Sequence, residues 1–249
     1  MIFSLASDIG KVRKNNEDFV DAKIIYKDDD AKIGIFALAD GMGGHNKGEV
    51  ASQMAVNGII EFLGKNLSQE GNVKIDYLGD VIKQAYNYVN STIYEKAQED
   101  ESFYGMGTTL VTVIIYNDEM YVANVGDSRC YILRDEELNR ITIDHSVVED
   151  LVRMNIISEE EAMTHPIRNH ITRAMGTDNM VAVDIFREKL KENDKILLAT
   201  DGLTGYVVDE KIKEILSENE DVDEATKKLI DFTNETAGKD NTSVILIKR

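Results

Sequence analysis

One cysteine, one proline and no tryptophan occur in 249 residues, and basic residues are scarce beside acidic ones. A lone cysteine excludes an intramolecular disulfide and suits a reducing compartment. Cys130 lies inside Arg129-Cys130-Tyr131-Ile132-Leu133, a strand-like run in which an inert core thiol is expected. No apolar run approaches the roughly 18 residues of a membrane span. Residues 1–8 lack the basic start and the apolar length of a signal peptide, so a cytoplasmic protein is expected. Lys+Arg 28 against Asp+Glu 46 gives a net charge of −18. That excess argues against sequence-independent binding to nucleic acid or to an anionic membrane. Histidine is also sparse, and His45, His145, His165 and His170 are not spaced as metal-binding pairs; none is expected to be a ligand.

What is present centres on Ile35-Phe36-Ala37-Leu38-Ala39-Asp40-Gly41-Met42-Gly43-Gly44-His45. The uncharged start of this stretch reads as a strand buried on both faces. It delivers one carboxylate, Asp40, into a loop with three glycines. Burying an ionised carboxylate is costly unless it is paired or holds a metal. Neighbouring glycines let carbonyl oxygens close in as further hard ligands. The device recurs in Lys195-Ile196-Leu197-Leu198-Ala199-Thr200-Asp201-Gly202 and in Val122-Ala123-Asn124-Val125-Gly126-Asp127, and Asp240-Asn241 opens the last strand. Four carboxylates at strand ends point to one acidic cluster built around divalent cations. Oxygen-only ligands select Mg²⁺ or Mn²⁺ over zinc.

Hydrophobic periodicity predicts strands over 2–6, 19–26, 108–116, 120–125, 129–133, 181–187, 195–200 and 243–248, with helices over 49–63, 78–93 and 223–236. Asp28-Asp29-Asp30 is expected to be a solvated hairpin turn. Residues 144–170 add no strand, carry two short helical segments and contain Pro166, which marks a surface excursion or flap. Its apolar row, Val148, Leu151, Val152 and Ile156, is expected to seat one short helix against the body. Helices in separated blocks, with no alternating βαβ pattern, favour α+β layering. With no repeat and no linker, residues 1–249 read as a single domain.

The motifs support a family resemblance. Arg13-Lys14-Asn15-Asn16-Glu17-Asp18, Asp40-Gly41-Met42-Gly43-Gly44-His45, Gly105-Met106-Gly107-Thr108-Thr109, Gly126-Asp127-Ser128-Arg129, Asp201-Gly202 and Asp240-Asn241 occur in an order that resembles the metal-dependent type 2C protein phosphatases. Thr164-His165-Pro166-Ile167-Arg168-Asn169-His170-Ile171-Thr172-Arg173 is similar to the bacterial branch, whose members reverse serine/threonine kinase signalling. The resemblance covers essentially the whole chain. It implies an α-β-β-α sandwich of two packed antiparallel sheets with helices on both outer faces. The implied activity is hydrolysis of phosphoserine and phosphothreonine in proteins with two to three Mn²⁺ or Mg²⁺ ions. Asp40 would bridge two metals, with the Gly41 carbonyl on one of them and Asp201 and Asp240 on the other. Asp127, with Asp201, would hold a third. Glu17 and Asp18 would hold metal-bound waters, and Arg13 would bind the phosphate. Phosphorylated proteins, including a cognate serine/threonine kinase, are the expected partners of a monomer.

Alternatives stay open on two residues. Arg13 has Glu17 four positions on and could pair with it, and Asp127 could cap its hairpin turn. Met42 stands where many relatives carry a histidine that is a candidate general acid, so the leaving group is expected to take its proton from a water of the metal site. Gly205 stands where several relatives have an acid. A nucleotide phosphate loop over 41–48 fails because no Ser or Thr follows Lys47 and the fingerprint's third glycine is absent. A catalytically dead relative would be expected to lack an inner acid, yet Asp40, Asp201 and Asp240 are all present.

Overall fold

The computed structural model describes residues 1–27, 31–43, 47–68, 77–99 and 101–249; the turn expected at 28–30 and the position of His45 lie outside them. Strands β1 (Ile2–Asp8), β2 (Asp18–Tyr26) and β3 (Lys32–Met42) come first, followed by helices α1 (Gly48–Leu67) and α2 (Leu78–Glu99). Then come β4 (Gly107–Thr108), β5 (Leu110–Tyr116), β6 (Glu119–Val125), β7 (Arg129–Arg134) and β8 (Glu137–Arg140). Two short helices, α3 (Val147–Arg153) and α4 (Glu159–Thr164), precede β9 (Asp184–Lys189) and β10 (Lys195–Ala199). Helices α5 (Asp201–Thr204), α6 (Asp209–Glu218) and α7 (Val222–Thr236) lead to β11 (Thr242–Lys248).

Alternation of side chains along doubly buried strands builds the layers. In β3, Ile35, Ala37 and Ala39 face α1 and α2, while Phe36 and Leu38 face the other sheet. In β11, Val244 and Leu246 face α6 and α7, while Ile245 and Ile247 point inward to meet Phe36 and Leu38. One sheet has the order β1-β11-β10-β7-β8 and the other β2-β3-β5-β6-β9, with β4 beside β3; the pairings are antiparallel. The result is the expected α-β-β-α sandwich. Each fully buried Leu or Ile of the layer between the sheets contributes about 1.5–3 kcal/mol.

Three expectations need correction. Helix α6 has no counterpart in the pattern reading, because its apolar residues Ile212, Ile215 and Leu216 are few and set among charges. Strand β8, Glu-Leu-Asn-Arg, was also outside it; as an edge strand it is polar, which blunts edge-to-edge association. Ile156 does not join the apolar row of the excursion: α3 ends at Arg153, and Ile156 is 62% exposed while Val148 is buried. Cys130 is fully buried, and that burial pushes its thiol far above the usual range, as expected for an inert residue.

Candidate metal centre

Strand register brings the acids together. Asp18 and Asp40 are direct cross-strand partners in the β2–β3 pair. Asp127 follows the end of β6, Asp201 follows the end of β10, and Asp240 precedes β11. In the first sheet, Ala199 at the end of β10 is paired with Val244 and with Arg129. The chain reversals beyond these strands therefore lie at one end of the sandwich, and the carboxylates from both sheets converge there.

Backbone clamps fix Asp40. Its N–H donates to Thr109 Oγ1 at 2.8 Å, and its carbonyl accepts from Thr109 N and from Thr108 Oγ1, both at 2.8 Å. Thr109 Oγ1 also lies 2.7 Å from Ser128 Oγ, which links the Asp40 strand to the turn carrying Asp127. The threonines belong to a motif quoted above without a role; the break between β4 and β5 at Thr109 turns that hydroxyl toward Asp40. On the other side, Gly41 N donates to Glu17 O at 3.0 Å. A Cβ on Gly41 would stand 2.0 Å from the Gly48 carbonyl oxygen and 2.7 Å from that of Glu17. Gly41→Ala is thus expected to cost about 1–3 kcal/mol through backbone displacement. A lowered urea midpoint at unchanged m-value checks this; an unchanged midpoint would show that the two backbones part freely.

The charges resist one another. Burial, and then Asp18, Asp201 and Asp127 around it, push the Asp40 carboxyl well above the usual carboxylate range. Asp127 is pushed well up by burial and by Asp201 and Asp144, and Asp201 is raised by burial and Asp240. Asp18 is pushed up to about 7, chiefly by burial, although it accepts hydrogen bonds that favour its anion. Thr200 Oγ1 donates to its Oδ2 at 3.0 Å, while Oδ1 is buried with no partner. An acceptor left bare beside four further acids is what a hard cation or its water shell would satisfy.

Among the described residues, no group of three or more His, Cys, Asp or Glu side chains is placed to hold a metal ion. Mg²⁺-type ions do not need one: they keep several waters and take one or two carboxylates. The donor set fits that chemistry. Glu17 lies at the same cleft, its amide held by Asn241 Oδ1 at 2.9 Å and its carboxyl raised by burial. Arg13 Nε and Nη2 each stand 2.8 Å from an Asp240 oxygen, so its fork grips Asp240 and the pairing with Glu17 is not formed. Neutralising Asp240 inside an acidic cluster gains more than pairing with a half-exposed glutamate. Met42 packs over Gly107, placing an apolar side chain on that wall of the cleft.

Known proteins share this fold. The profile of the family described as Protein phosphatase 2C matches residues 11–243. The serine/threonine phosphatase Stp of Listeria monocytogenes is 36% identical over 243 residues, covering 98% of this chain and 94% of that protein. The crystal structure of the serine/threonine phosphatase Stp1 from Staphylococcus aureus superimposes with a TM-score of 0.88 at 35% identity, over 99% of this chain and 94% of that one. The catalytic domain of the serine/threonine phosphatase PstP, solved with two manganese ions, has a TM-score of 0.83 at 33% identity, over 98% and 96%. Family and fold thus define a metal-dependent phosphoester hydrolase. The chain belongs to the protein phosphatase 2C family and is a serine/threonine protein phosphatase.

Proposed function

We propose that residues 1–249 act as one catalytic unit that hydrolyses phosphoserine and phosphothreonine in proteins with two to three Mn²⁺ or Mg²⁺ ions, opposing a serine/threonine kinase in the cytoplasm as a monomer. The observation that carries this reading is the convergence of Asp18, Asp40, Asp127, Asp201 and Asp240 from both sheets with an unpartnered buried oxygen among them. Asp40, the Gly41 carbonyl, Asp201 and Asp240 would hold the inner ions, and Asp127 with Asp201 a third. When bound, such ions supply a strongly acidified water and positive charge for the phosphoryl oxygens. Glu17, from the edge of the cluster, and Asp18, buried beside Asp40, would orient water there.

Arg13, exposed on the cleft side, would offer its planar fork to two phosphate oxygens once a cation takes over Asp240, which that fork now grips. Its removal is expected to raise KM for a phosphopeptide by about 10-fold, one bidentate charged contact. Mn²⁺ affinity should stay equal or rise, because a guanidinium 2.8 Å from Asp240 repels an incoming cation. Calorimetric Mn²⁺ titration of Arg13→Ala checks this; weakened metal binding would make Arg13 a structural brace for Asp240.

The excursion at 144–170 borders a groove of about 860 Å³ that also reaches Asp127, Asp201 and the start of α6. It is the flap beside which the phosphoprotein would lie. Among the described residues no helix is long and apolar enough to cross a membrane. The direct test is phosphate release from a phosphothreonine peptide with Mn²⁺, with Mg²⁺ and with chelator. Activity in fully metal-stripped protein would overturn the metal reading.

A further inference from the structure

His145 is buried, at 6% exposure, and the reaction described above does not use it. Its ring is nevertheless tied to three segments. Gly126 N donates to Nδ1 at 3.0 Å, so Nδ1 is the bare nitrogen and Nε2 carries the proton. Nε2 then donates to Asp184 Oδ2 at 3.1 Å; Arg173 Nη1 lies 2.9 Å from the same nitrogen but, with Nε2 protonated, directs its hydrogens to Asp184 Oδ1 at 2.9 Å and to Ala182 O at 3.0 Å. The backbone of His145 adds two more ties. Its N–H donates to Gly126 O at 3.0 Å and its carbonyl accepts from Thr172 N at 2.7 Å. A short bridge between Ser146 and Ile171 continues the contact. Both roots of the flap, at 145–147 and 170–173, are thus fastened together beside the turn that carries Asp127.

That turn has little freedom of its own. Gly126 sits at φ 108°, and a Cβ there would meet the Thr109 side chain at 2.6 Å. It is therefore held between Thr109 on the Asp40 side and the imidazole on the flap side. The geometry points to His145 as a positioning residue: its Nδ1 sets the Gly126–Asp127 turn, and through it the Asp127 carboxylate, while Asp184 fixes the ring. The inference rests on the reading of Asp127 as a metal ligand and adds the residue that aims it. Partners one step beyond a ligand are worth about 10–100-fold in metal affinity.

The test is Mn²⁺ binding to the full chain, by calorimetry and by electron paramagnetic resonance of free Mn²⁺, in four proteins: wild type, Asp127→Ala, His145→Asn and His145→Gln. Asp127→Ala is expected to lose the weakest ion and keep the tight ones. His145→Gln puts its amide where Nε2 was and leaves Gly126 N–H without an acceptor; it should weaken the weakest ion by about 10-fold. His145→Asn places Oδ1 where Nδ1 was and should rescue that affinity to within about 3-fold of wild type. Amide exchange at Gly126 in metal-free protein should follow the same order, protected in the asparagine variant and fast in the glutamine one. A role in stability alone would lower Tm in both variants without separating them. If Asp127→Ala loses the ion but His145→Gln binds as wild type, or if asparagine fares no better than glutamine, the proposal is overturned. If Asp127→Ala keeps every ion, the ligand reading falls, and the proposal with it. Should His145→Gln not fold, Asp184→Ala, at a side chain 38% exposed, frees the ring with little loss of packing. It should weaken the same ion by about 3-fold, less than the 10–100-fold of a partner next to a ligand because Asp184 acts only through the ring, and unchanged affinity there would overturn the proposal.

Discussion

Stripped of metal, the protein is expected to unfold at a lower temperature at pH 8 than at pH 5.5, and Mn²⁺ should reverse that order. The sign follows from linkage. Asp18 is pushed up to about 7 and Asp40, Asp127 and Asp201 are raised as well, so the folded state binds more protons than the unfolded chain above the ordinary aspartate range. Stability from these groups is complete below the unfolded pKa near 3.9 and is lost as pH rises through the folded values. His145 acts the other way, because burial lowers its pKa and its contribution grows as pH rises toward about 6.5; it is one group against these four and against Glu17 and Asp209, which burial also raises. Asp184, lowered beside His145 and Arg173, exerts its effect below the ordinary aspartate value and outside this window. Mn²⁺ binds the ionised carboxylates, so its stabilisation is largest at pH 8. At about 100 Kd each ion adds about 2.7 kcal/mol, which for a protein of this size raises Tm by about 5–10 °C. Differential scanning fluorimetry with chelator and with Mn²⁺ at both pH values reads this directly. A Tm rise that is the same at pH 5.5 and 8 would remove the acid cluster as the binding site.

Much of the site was legible because an apolar strand that ends in Asp-Gly is a local signal. Asp40 and Asp201 could be placed at strand ends from ten residues of sequence, and pairing then brought them to one edge. What escaped is long-range. Arg13 meets Asp240 across 227 positions, and no spacing rule foretells that partner over the nearby Glu17. His145 reaches Asp184 39 positions away and Gly126 19 positions before it. Its motif reads only as the start of a polar excursion. Thr109 looked like the interior of one strand over 108–116; the actual break there frees its hydroxyl for Asp40. Helix α6 and strand β8 escaped because each is short and carries few apolar residues among charged and polar ones.

Replacing Asp40 with asparagine should abolish turnover and leave a folded protein. Asparagine has nearly the same shape, and the contacts that fix this position are made by the backbone: Asp40 N to Thr109 Oγ1, and Thr108 Oγ1 and Thr109 N to Asp40 O. None of these depends on the carboxylate, so β3 should keep its course. The substitution also removes the buried carboxyl that Asp18, Asp201 and Asp127 oppose in the metal-free cluster. Metal-free Asp40→Asn should therefore melt at or above wild type at pH 8, and its Tm should lose part of its pH dependence, the rest staying with Asp18, Asp127 and Asp201. Catalysis responds in the opposite direction. A neutral amide is a poor bridging ligand for hard cations, and the electrostatic assistance lost is several kcal/mol, on the order of 10³-fold in kcat/KM. The paired measurement is phosphate release from a phosphothreonine peptide beside the Mn²⁺-dependent Tm shift. Loss of activity together with a reduced Mn²⁺ shift and an intact metal-free Tm assigns Asp40 to the ions. Retention of more than about a tenth of the activity, a barrier change under 1.4 kcal/mol, would mean that the ions are held elsewhere in the cleft.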